Sequence, residues 1–198
     1  MAGSQYFEAA PEVTSRPETV SLCLPDVTLR LTTDRGVFAH GDIDVGSKLL
    51  LLEAPVPAAA GDLLDLGCGY GPIALTMARR APAATVWAVD VNERARALCA
   101  ANAEANGITN VRVVAPHEVP SDVTFATMWS NPPIRIGKAA LHVLLLRWLA
   151  KLAPDGSAVL VVQKHLGADS LAAWLAAEGW STTRLAARLG YRMIGVTR

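Results

Sequence analysis

The hydrophobic pattern of the chain changes near residue 62, beyond which short apolar runs alternate with longer amphipathic stretches. Such runs predict buried strands, and the stretches between them predict helices on both faces of a mostly parallel sheet. The predicted strands are 63–66, 85–89, 111–114, 124–129, 158–162, 182–187 and 191–197, and the predicted helices are 72–80, 92–106, 138–152 and 168–178.

A short connection joins the last two predicted strands, which favours an antiparallel pair at the edge of the sheet. The fold predicted is therefore α/β: a doubly wound, mostly parallel seven-stranded sheet with an antiparallel C-terminal hairpin. The sequence shows no internal repeat and no low-complexity segment.

Residues 1–60 lack this alternation and predict a small β-rich flank in front of the sheet. Two strands, 20–24 and 27–32, surround a Pro-Asp turn, and a short helix over 49–53 has Asp44 or Ser47 as its cap. About 60 residues would bury only a marginal core of their own. We therefore expect 1–60 to pack as a flank on the core formed by 61–198, with the first 20 residues as a loosely ordered arm.

Composition narrows the class of protein. Hydrophobic residues make up 52% of the 198 residues, enough for a sizeable core. The apolar runs are too short or too interrupted to span a bilayer, and the N-terminus has no leader pattern. Three widely spaced cysteines make neither a disulfide framework nor a Cys-x-x-Cys metal site. These features predict a cytoplasmic protein without membrane association and without a metal.

The formal net charge is zero, but the charges are unevenly distributed along the chain. Residues 1–130 carry 9 Lys and Arg against 15 Asp and Glu, a net charge of −6, whereas 131–198 carry 9 against 3, a net charge of +6. A basic surface for an anionic partner and a chance distribution over a solvated surface both fit this pattern.

A glycine-rich turn, Asp65-Leu-Gly-Cys-Gly-Tyr-Gly71, follows the first strand of the core and leads into a helix. We expect such a turn to offer unpaired backbone N–H groups and space for a ligand. Its spacing differs from the dinucleotide fingerprint, and its acidic residue disfavours a phosphate. A cationic or hydroxylated ligand, such as the amino-acid end of S-adenosylmethionine, suits it, although a plain strand-to-helix turn has the same pattern. The cofactor-binding candidates here are Asp65, Gly67, Cys68, Gly69 and Gly71.

Asp90 and Val91 follow the next strand, at the same edge of the predicted sheet. A carboxylate at this point can accept hydrogen bonds from both hydroxyls of a ribose. Asp90 is equally placed to cap the helix that follows.

The segment Asn131-Pro132-Pro133-Ile134 follows the fourth strand, which should lie beside the glycine turn. Its prolines have no N–H group, so the segment presents mainly acceptors. The Asn131 side-chain oxygen and the Pro132 carbonyl can each accept one hydrogen of an exocyclic amine, which turns the nitrogen lone pair toward an electrophilic methyl group. In isolation the segment also fits a rigid turn. Joined to the glycine turn and Asp90, it indicates methyl transfer to nitrogen, with Asn131, Pro132, Pro133 and Ile134 as the catalytic candidates.

These motifs resemble the class I S-adenosylmethionine-dependent methyltransferases that methylate amines, and therefore imply a Rossmann-like methyltransferase fold. More narrowly, four segments are similar to the ribosomal RNA guanine methyltransferases of the small subunit, within the single-domain "methyltransferase small" family. The four segments are Thr33-Asp-Arg-Gly-Val-Phe38, Ile43-Asp-Val-Gly-Ser47, Asn131-Pro-Pro-Ile-Arg-Ile-Gly-Lys138 and Gln163-Lys-His-Leu-Gly-Ala168. The resemblance implies methylation of guanine N2 in ribosomal RNA, with Asn131 also touching the cofactor.

The same resemblance suggests which residues contact the substrate. Ile134 stands where an aromatic side chain would stack on a flipped base, so stacking must come from Phe38, Tyr6 or Tyr191. Basic side chains after two strand ends are candidates for RNA phosphates. The tentative substrate-binding residues are Phe38, Arg135, Lys138, Lys164 and His165.

Two departures from the family pattern leave questions open. Tandem-type members pair a catalytic half with a degenerate half, whereas this chain has one half, so a homodimer or a partner is expected for RNA docking. The third strand is followed by Ala115-Pro116-His117, where many relatives place an acidic or polar residue against the adenine ring, so His117 and Glu118 are no more than candidates for that contact. Two alternative functions remain: methylation of adenine, a protein amide or a small molecule, and a catalytically silent, cofactor-binding module associated with RNA.

Overall fold

The computed structural model describes residues 13–198. Its strands are β1 Glu18–Cys23, β2 Thr28–Thr33, β3 Ala60–Leu66, β4 Ala83–Val89, β5 Val111–Val114, β6 Phe125–Ser130, β7 Leu152–Gln163, β8 Ser181–Arg188 and β9 Tyr191–Thr197. Its α-helices are α1 Val45–Glu53, α2 Pro72–Arg80, α3 Glu93–Ala105, α4 Lys138–Leu149 and α5 Ala168–Ala177.

Seven strands form one sheet in the order β5-β4-β3-β6-β7-β9-β8, and β1 pairs with β2 in a separate antiparallel ribbon. The strands from β5 to β7 in this order are parallel, and β9 and β8 extend the sheet antiparallel at one edge. The prediction of a doubly wound sheet with a C-terminal hairpin and a β-rich flank is confirmed. Within residues 13–198, no helix is long and apolar enough to cross a membrane.

Alternation along the central strands gives the sheet a hydrophobic core on each face. In β3, Leu63 belongs to the hydrophobic core that includes buried side chains of α1, α2 and α3, whereas Leu64 and Leu66 belong to the core on the opposite face, which includes those of α4 and α5. Each fully buried leucine stabilises the fold by about 1.5–3 kcal/mol. Burial on both faces holds β3 and β6 side by side, and these two strands carry the glycine turn and the Asn131 segment.

The N-terminal flank is hydrogen-bonded to the core through Asn102 of α3. Its side-chain oxygen accepts from the Thr32 N–H at 2.7 Å, and its amide nitrogen donates to the carbonyls of Thr32 and Tyr70, each at 2.8 Å. One buried asparagine therefore joins the flank to the glycine turn. The division of the chain at residue 60 stays a prediction.

The largest differences from the predicted boundaries are at the starts of β7 and α1. Helix α4 ends at Leu149, and β7 begins at Leu152 instead of at residue 158, passing through Pro154 and Gly156. The pairing of β7 with β6 explains this. The Phe125 N–H donates to the Lys151 carbonyl at 2.8 Å, and the register of the two strands is irregular between Phe125 and Thr127, which accommodates Pro154. At the other difference, α1 begins at Val45 because Asp44 caps it, accepting from the Ser47 N–H at 2.9 Å.

Candidate active site

A cavity of about 360 Å³ opens at the carboxyl ends of β3, β4 and β6. Parallel strands bring their carboxyl ends to one edge of the sheet, so the segments that follow them form the walls together. The start of α1 closes one side. The residues that carry the chemistry of its wall are Asp44, Gly67, Gly69, Asp90, Asn131 and Gln163.

The glycine turn is held by its own N–H groups, contrary to the expectation that these would be unpaired. The N–H groups of Gly67 and Cys68 donate to the Val89 carbonyl at 2.8 and 3.1 Å, and that of Gly69 donates to Asp90 Oδ2 at 2.9 Å. The end of β4 thus supplies the acceptors. What the turn offers is space: a Cβ on Gly67 or Gly69 would meet no protein atom within 4 Å.

Gly71 lies outside the cavity wall and serves packing instead. Its φ is +102°, and a Cβ there would lie 2.8 Å from Cys99 Sγ. We expect Gly71→Ala to lower the free energy of unfolding by about 3 kcal/mol, because left-handed strain and a core clash add. Urea unfolding measures this. Gly179→Ala is the control, since its φ of +91° is similar but its Cβ would meet nothing within 4 Å; equal losses in the two variants would contradict the packing argument.

Asp65 lies beneath the turn, fully buried and outside the cavity wall. Its Oδ2 accepts the Ala74 N–H in the first turn of α2 at 2.8 Å, and its Oδ1 is buried without a protein partner. Burial raises the pKa of Asp65 to about 8, and the nearby Asp90 charge adds to this. The structure shows Asp65 supporting the turn, so its contact with a cofactor stays a prediction.

The raised pKa of Asp65 predicts the direction in which stability changes with pH. The folded protein holds a proton on Asp65 that the unfolded chain releases above about pH 4, so this contribution to stability is lost as pH rises to about 8. We expect Asp65→Asn to gain stability relative to the wild type across that window, by up to ~1.4 kcal/mol per pH unit. Urea unfolding of both proteins between pH 4 and 9 measures the difference, and a pH-independent difference would contradict the burial argument.

Asp90 faces the cavity, and backbone groups fix its carboxylate. Its Oδ2 accepts from Gly69, and its Oδ1 accepts the Asn92 N–H at 2.9 Å. Burial raises the pKa of Asp90. The cap of α3 is Asn92, which accepts the Ala95 N–H at 3.1 Å, so the capping alternative for Asp90 is wrong. Each Asp90 oxygen keeps acceptor capacity for a further donor, and Val91 beside it lines the cavity with 45% of its surface exposed.

The Asn131 segment lies directly beside the glycine turn. The Ser130 hydroxyl donates to the Leu66 carbonyl at 2.6 Å, tying the ends of β6 and β3 together. The Asn131 amide nitrogen donates to Asp44 Oδ2 at 2.7 Å and is 3.1 Å from Ser47 Oγ. The Pro132 carbonyl accepts the Ile134 N–H at 2.8 Å, which uses one of its two lone pairs. Asn131, Pro132, Pro133 and Ile134 all line the cavity.

The structure brings only some of the predicted substrate residues to the cavity. Phe38, 46% exposed, and Arg135 line it. Lys138 borders an adjoining cavity of about 160 Å³. Lys164 and His165 lie exposed on the short 3₁₀ helix Lys164–Leu166 and line neither cavity.

Of the other residues predicted to stack on the base or to contact adenine, only some line the cavity. Tyr191 lines the cavity while only 8% exposed, and its hydroxyl accepts from the Gln163 amide nitrogen at 2.7 Å. Tyr6 lies outside the described residues. Neither His117 nor Glu118 lines the cavity, and Pro116 lines it instead. The Glu118 carboxylate turns back to accept the Ala115 N–H at 2.6 Å.

Sequence reasoning missed how Asp44 and Ser47 act at this site. Their local sequence predicts only a helix cap, and the one signal of a further role is the resemblance of the segment Ile43-Asp-Val-Gly-Ser47 to the methyltransferase family. Among residues 13–198, no group of three or more His, Cys, Asp or Glu side chains is arranged to hold a metal ion.

Comparison with known families identifies the fold. The family model of the methyltransferase small domain matches residues 28–194. The chain belongs to this family. The domain is 40% identical over 168 residues to the uncharacterised protein YbxB of Bacillus subtilis, covering 83% of this chain and 84% of that protein.

Named relatives are longer. Ribosomal RNA small subunit methyltransferase C of Shewanella oneidensis is 30% identical over 178 residues, covering 86% of this chain and 52% of that protein. The Pseudomonas aeruginosa protein of the same name is 32% identical over 173 residues, covering 80% and 52%. This methyltransferase small domain thus spans about half the length of these two relatives.

A solved structure shows the same fold. The T. thermophilus 16S rRNA N2 methyltransferase RsmC, in complex with AdoMet and guanosine, is 23% identical with a TM-score of 0.78. The match covers 95% of this chain and 52% of that one. The Rossmann-like methyltransferase fold predicted for the chain is therefore confirmed.

Proposed function

We propose that this methyltransferase small domain transfers a methyl group from S-adenosylmethionine to an exocyclic amine, and that the acceptor is guanine N2 in ribosomal RNA. The observation that carries the proposal is the Asn131 amide, whose nitrogen is bonded to Asp44 while the residue faces the same cavity as the glycine turn. The relatives named as small-subunit rRNA methyltransferases support the RNA substrate.

The residues present fit S-adenosylmethionine. Gly67 and Gly69 leave space in the wall that a side chain would fill, and Asp90 offers two fixed carboxylate oxygens to ribose hydroxyls. The buried Oδ1 of Asp65 lacks a protein partner beneath the same turn. When bound, the cofactor supplies an electrophilic methyl group on a sulfonium. The wall residues proposed to hold it are Gly67, Cys68, Gly69, Asp90, Val91 and Asn131. Asp65 is proposed to reach it from beneath the turn, and Gly71, outside the wall, to shape the turn.

In the proposed reaction, Asn131 and Pro132 position the acceptor. The Asn131 Oδ1 and the second lone pair of the Pro132 carbonyl each accept one amine hydrogen, which leaves the nitrogen lone pair directed at the methyl group. A strong base is unnecessary, since the methylated nitrogen becomes cationic and loses its proton afterwards. Catalysis therefore rests on position and on complementary charge. Phe38 at the rim is proposed to stack on the base, and Ile134 to contact it.

The RNA would meet a basic rim. Arg135 lines the cavity, Lys138 borders the adjoining one, and Lys164 and His165 lie exposed outside both. We assign these side chains to RNA phosphates, which position a substrate without reading its sequence. We further propose that a homodimer completes the RNA surface, and that the protein works in the cytoplasm.

Methylated-nucleoside mapping tests the proposal. Purified protein with methyl-labelled S-adenosylmethionine is offered ribosomal RNA and small subunits from cells that lack it, and the digested RNA is analysed by mass spectrometry. We expect label in N2-methylguanosine and none with Asn131→Ala. Label in adenine, protein or a small molecule would show that the acceptor is not guanine. Cofactor binding without transfer to any of these would favour the catalytically silent module.

A further inference from the structure

The cap of α1 makes a contact that capping does not require. Asp44 Oδ2 accepts the Ser47 N–H at 2.9 Å, which alone completes the cap. The same oxygen also accepts the Asn131 amide at 2.7 Å, across 87 residues of sequence. A residue of the N-terminal flank therefore contacts the side chain assigned to the acceptor amine.

The chemistry of the partners fixes the orientation of the Asn131 amide. An ionised carboxylate only accepts hydrogen bonds, so the end of the amide that faces Asp44 must be the nitrogen. Ser47 Oγ, 3.1 Å away, holds the same nitrogen from a second side. Among residues 13–198, no protein donor is bonded to Asn131 Oδ1, so that oxygen is left for a donor in the cavity.

The start of α1 is packed closely against the sheet. A Cβ on Gly46 would lie 2.6 Å from Tyr191 Cε1, so the helix start is pressed against β9. Buried leucines at 49, 50 and 51 hold the rest of α1 on the sheet. Asp44 consequently contacts Asn131 from the start of a packed helix rather than from a loop tip.

We propose that Asp44 is a positioning residue for methyl transfer: its carboxylate holds the Asn131 amide with the nitrogen toward α1 and the oxygen toward the acceptor amine. This inference rests on the proposed function for its catalytic consequence. A charge-assisted bond to the amide nitrogen also polarises the amide, which makes its oxygen a stronger acceptor. The negative charge further favours an acceptor that becomes cationic as the methyl arrives.

Two substitutions of Asp44 separate geometry from charge. Asp44→Asn keeps one oxygen for both bonds, so the cap and the orientation survive while the charge is lost; we expect kcat to fall about tenfold. Asp44→Ala removes the anchor, and we expect kcat to fall about 100-fold. In both variants the KM of the RNA and the cofactor Kd should stay within about threefold of the wild type, because neither binding surface is removed.

Asp42→Asn is the matched control. It removes the same charge from the same loop, but the Asp42 carboxylate accepts the Ile43 N–H and the residue does not line the cavity. We expect wild-type kcat. Thermal unfolding of all variants shows whether a loss of activity merely follows a loss of stability, as a purely structural cap would require.

A spectroscopic measurement tests the contact itself. In ¹⁵N-labelled protein, the Asn131 side-chain amide, assigned by its absence in Asn131→Ala, should show a downfield proton that moves in both Asp44 variants and not in Asp42→Asn. An unmoved signal would overturn the inference, as would wild-type kcat in Asp44→Ala. Wild-type protein that methylates no guanine would instead contradict the proposed function, and the amide signal would still decide whether Asp44 holds Asn131.

Discussion

Replacing Asn131 by alanine is expected to lower the rate of methyl transfer about 1,000-fold. Cofactor affinity should stay within about threefold of the wild type, because Asp90 and the glycine turn keep the main contacts proposed for the cofactor and Asn131 adds only a minor one. The variant removes the side-chain acceptor that orients the amine, and the Pro132 carbonyl alone cannot fix the lone pair direction. Single-turnover rates with saturating S-adenosylmethionine measure the first effect, and calorimetry measures the second.

Asn131→Ala also leaves the Asp44 carboxylate without its 2.7 Å partner, so stability has to be followed alongside activity. Ser47→Ala is the matched comparison, because it removes only the 3.1 Å contact to the same amide and keeps the Asp44 anchor. We expect Ser47→Ala to lose far less methyl-transfer activity than Asn131→Ala. A loss below about tenfold in Asn131→Ala would show that another group orients the acceptor.

The sheet was predictable because its strands are short apolar runs separated by helices with clear ends. Strands β4 and β5 and the C-terminal hairpin lie where the pattern placed them, within a few residues. The start of β7 was not predictable from local signals. Pro154 and Gly156 predict a break, but the pairing of Leu152 with Phe125 extends the strand past them, and that pairing exists only in the folded sheet.

The site was predictable where its residues come directly after the ends of strands. Asp90 and Asn131 line one cavity because β4 and β6, the parallel strands on either side of β3, end at one edge of the sheet. The glycine turn was misjudged for the opposite reason. Whether its N–H groups are paired depends on the Val89 carbonyl of an adjacent strand, which local sequence does not reveal.

The role of Asp44 depends on a contact of the same kind. In sequence it is a helix cap, and its second partner lies 87 residues away. Asn102 likewise ties the flank to the glycine turn. The flank thus touches both parts of the proposed site, the turn and the acceptor segment, so changes in the flank should affect methyl transfer as well as stability.

Replacing Asp90 by alanine is expected to weaken cofactor binding about 100-fold, because two hydrogen bonds to a charged acceptor are lost. Calorimetry with S-adenosylhomocysteine measures this. The carboxylate also holds the Gly69 and Asn92 N–H groups, so part of the loss could come from a loosened turn. A ligand that lacks the ribose 2′-hydroxyl separates the two effects: it should bind the wild type more weakly than the parent ligand, and Asp90→Ala should bind both ligands equally. Unchanged affinity in Asp90→Ala, or the same discrimination between ligands in both proteins, would contradict ribose binding by Asp90.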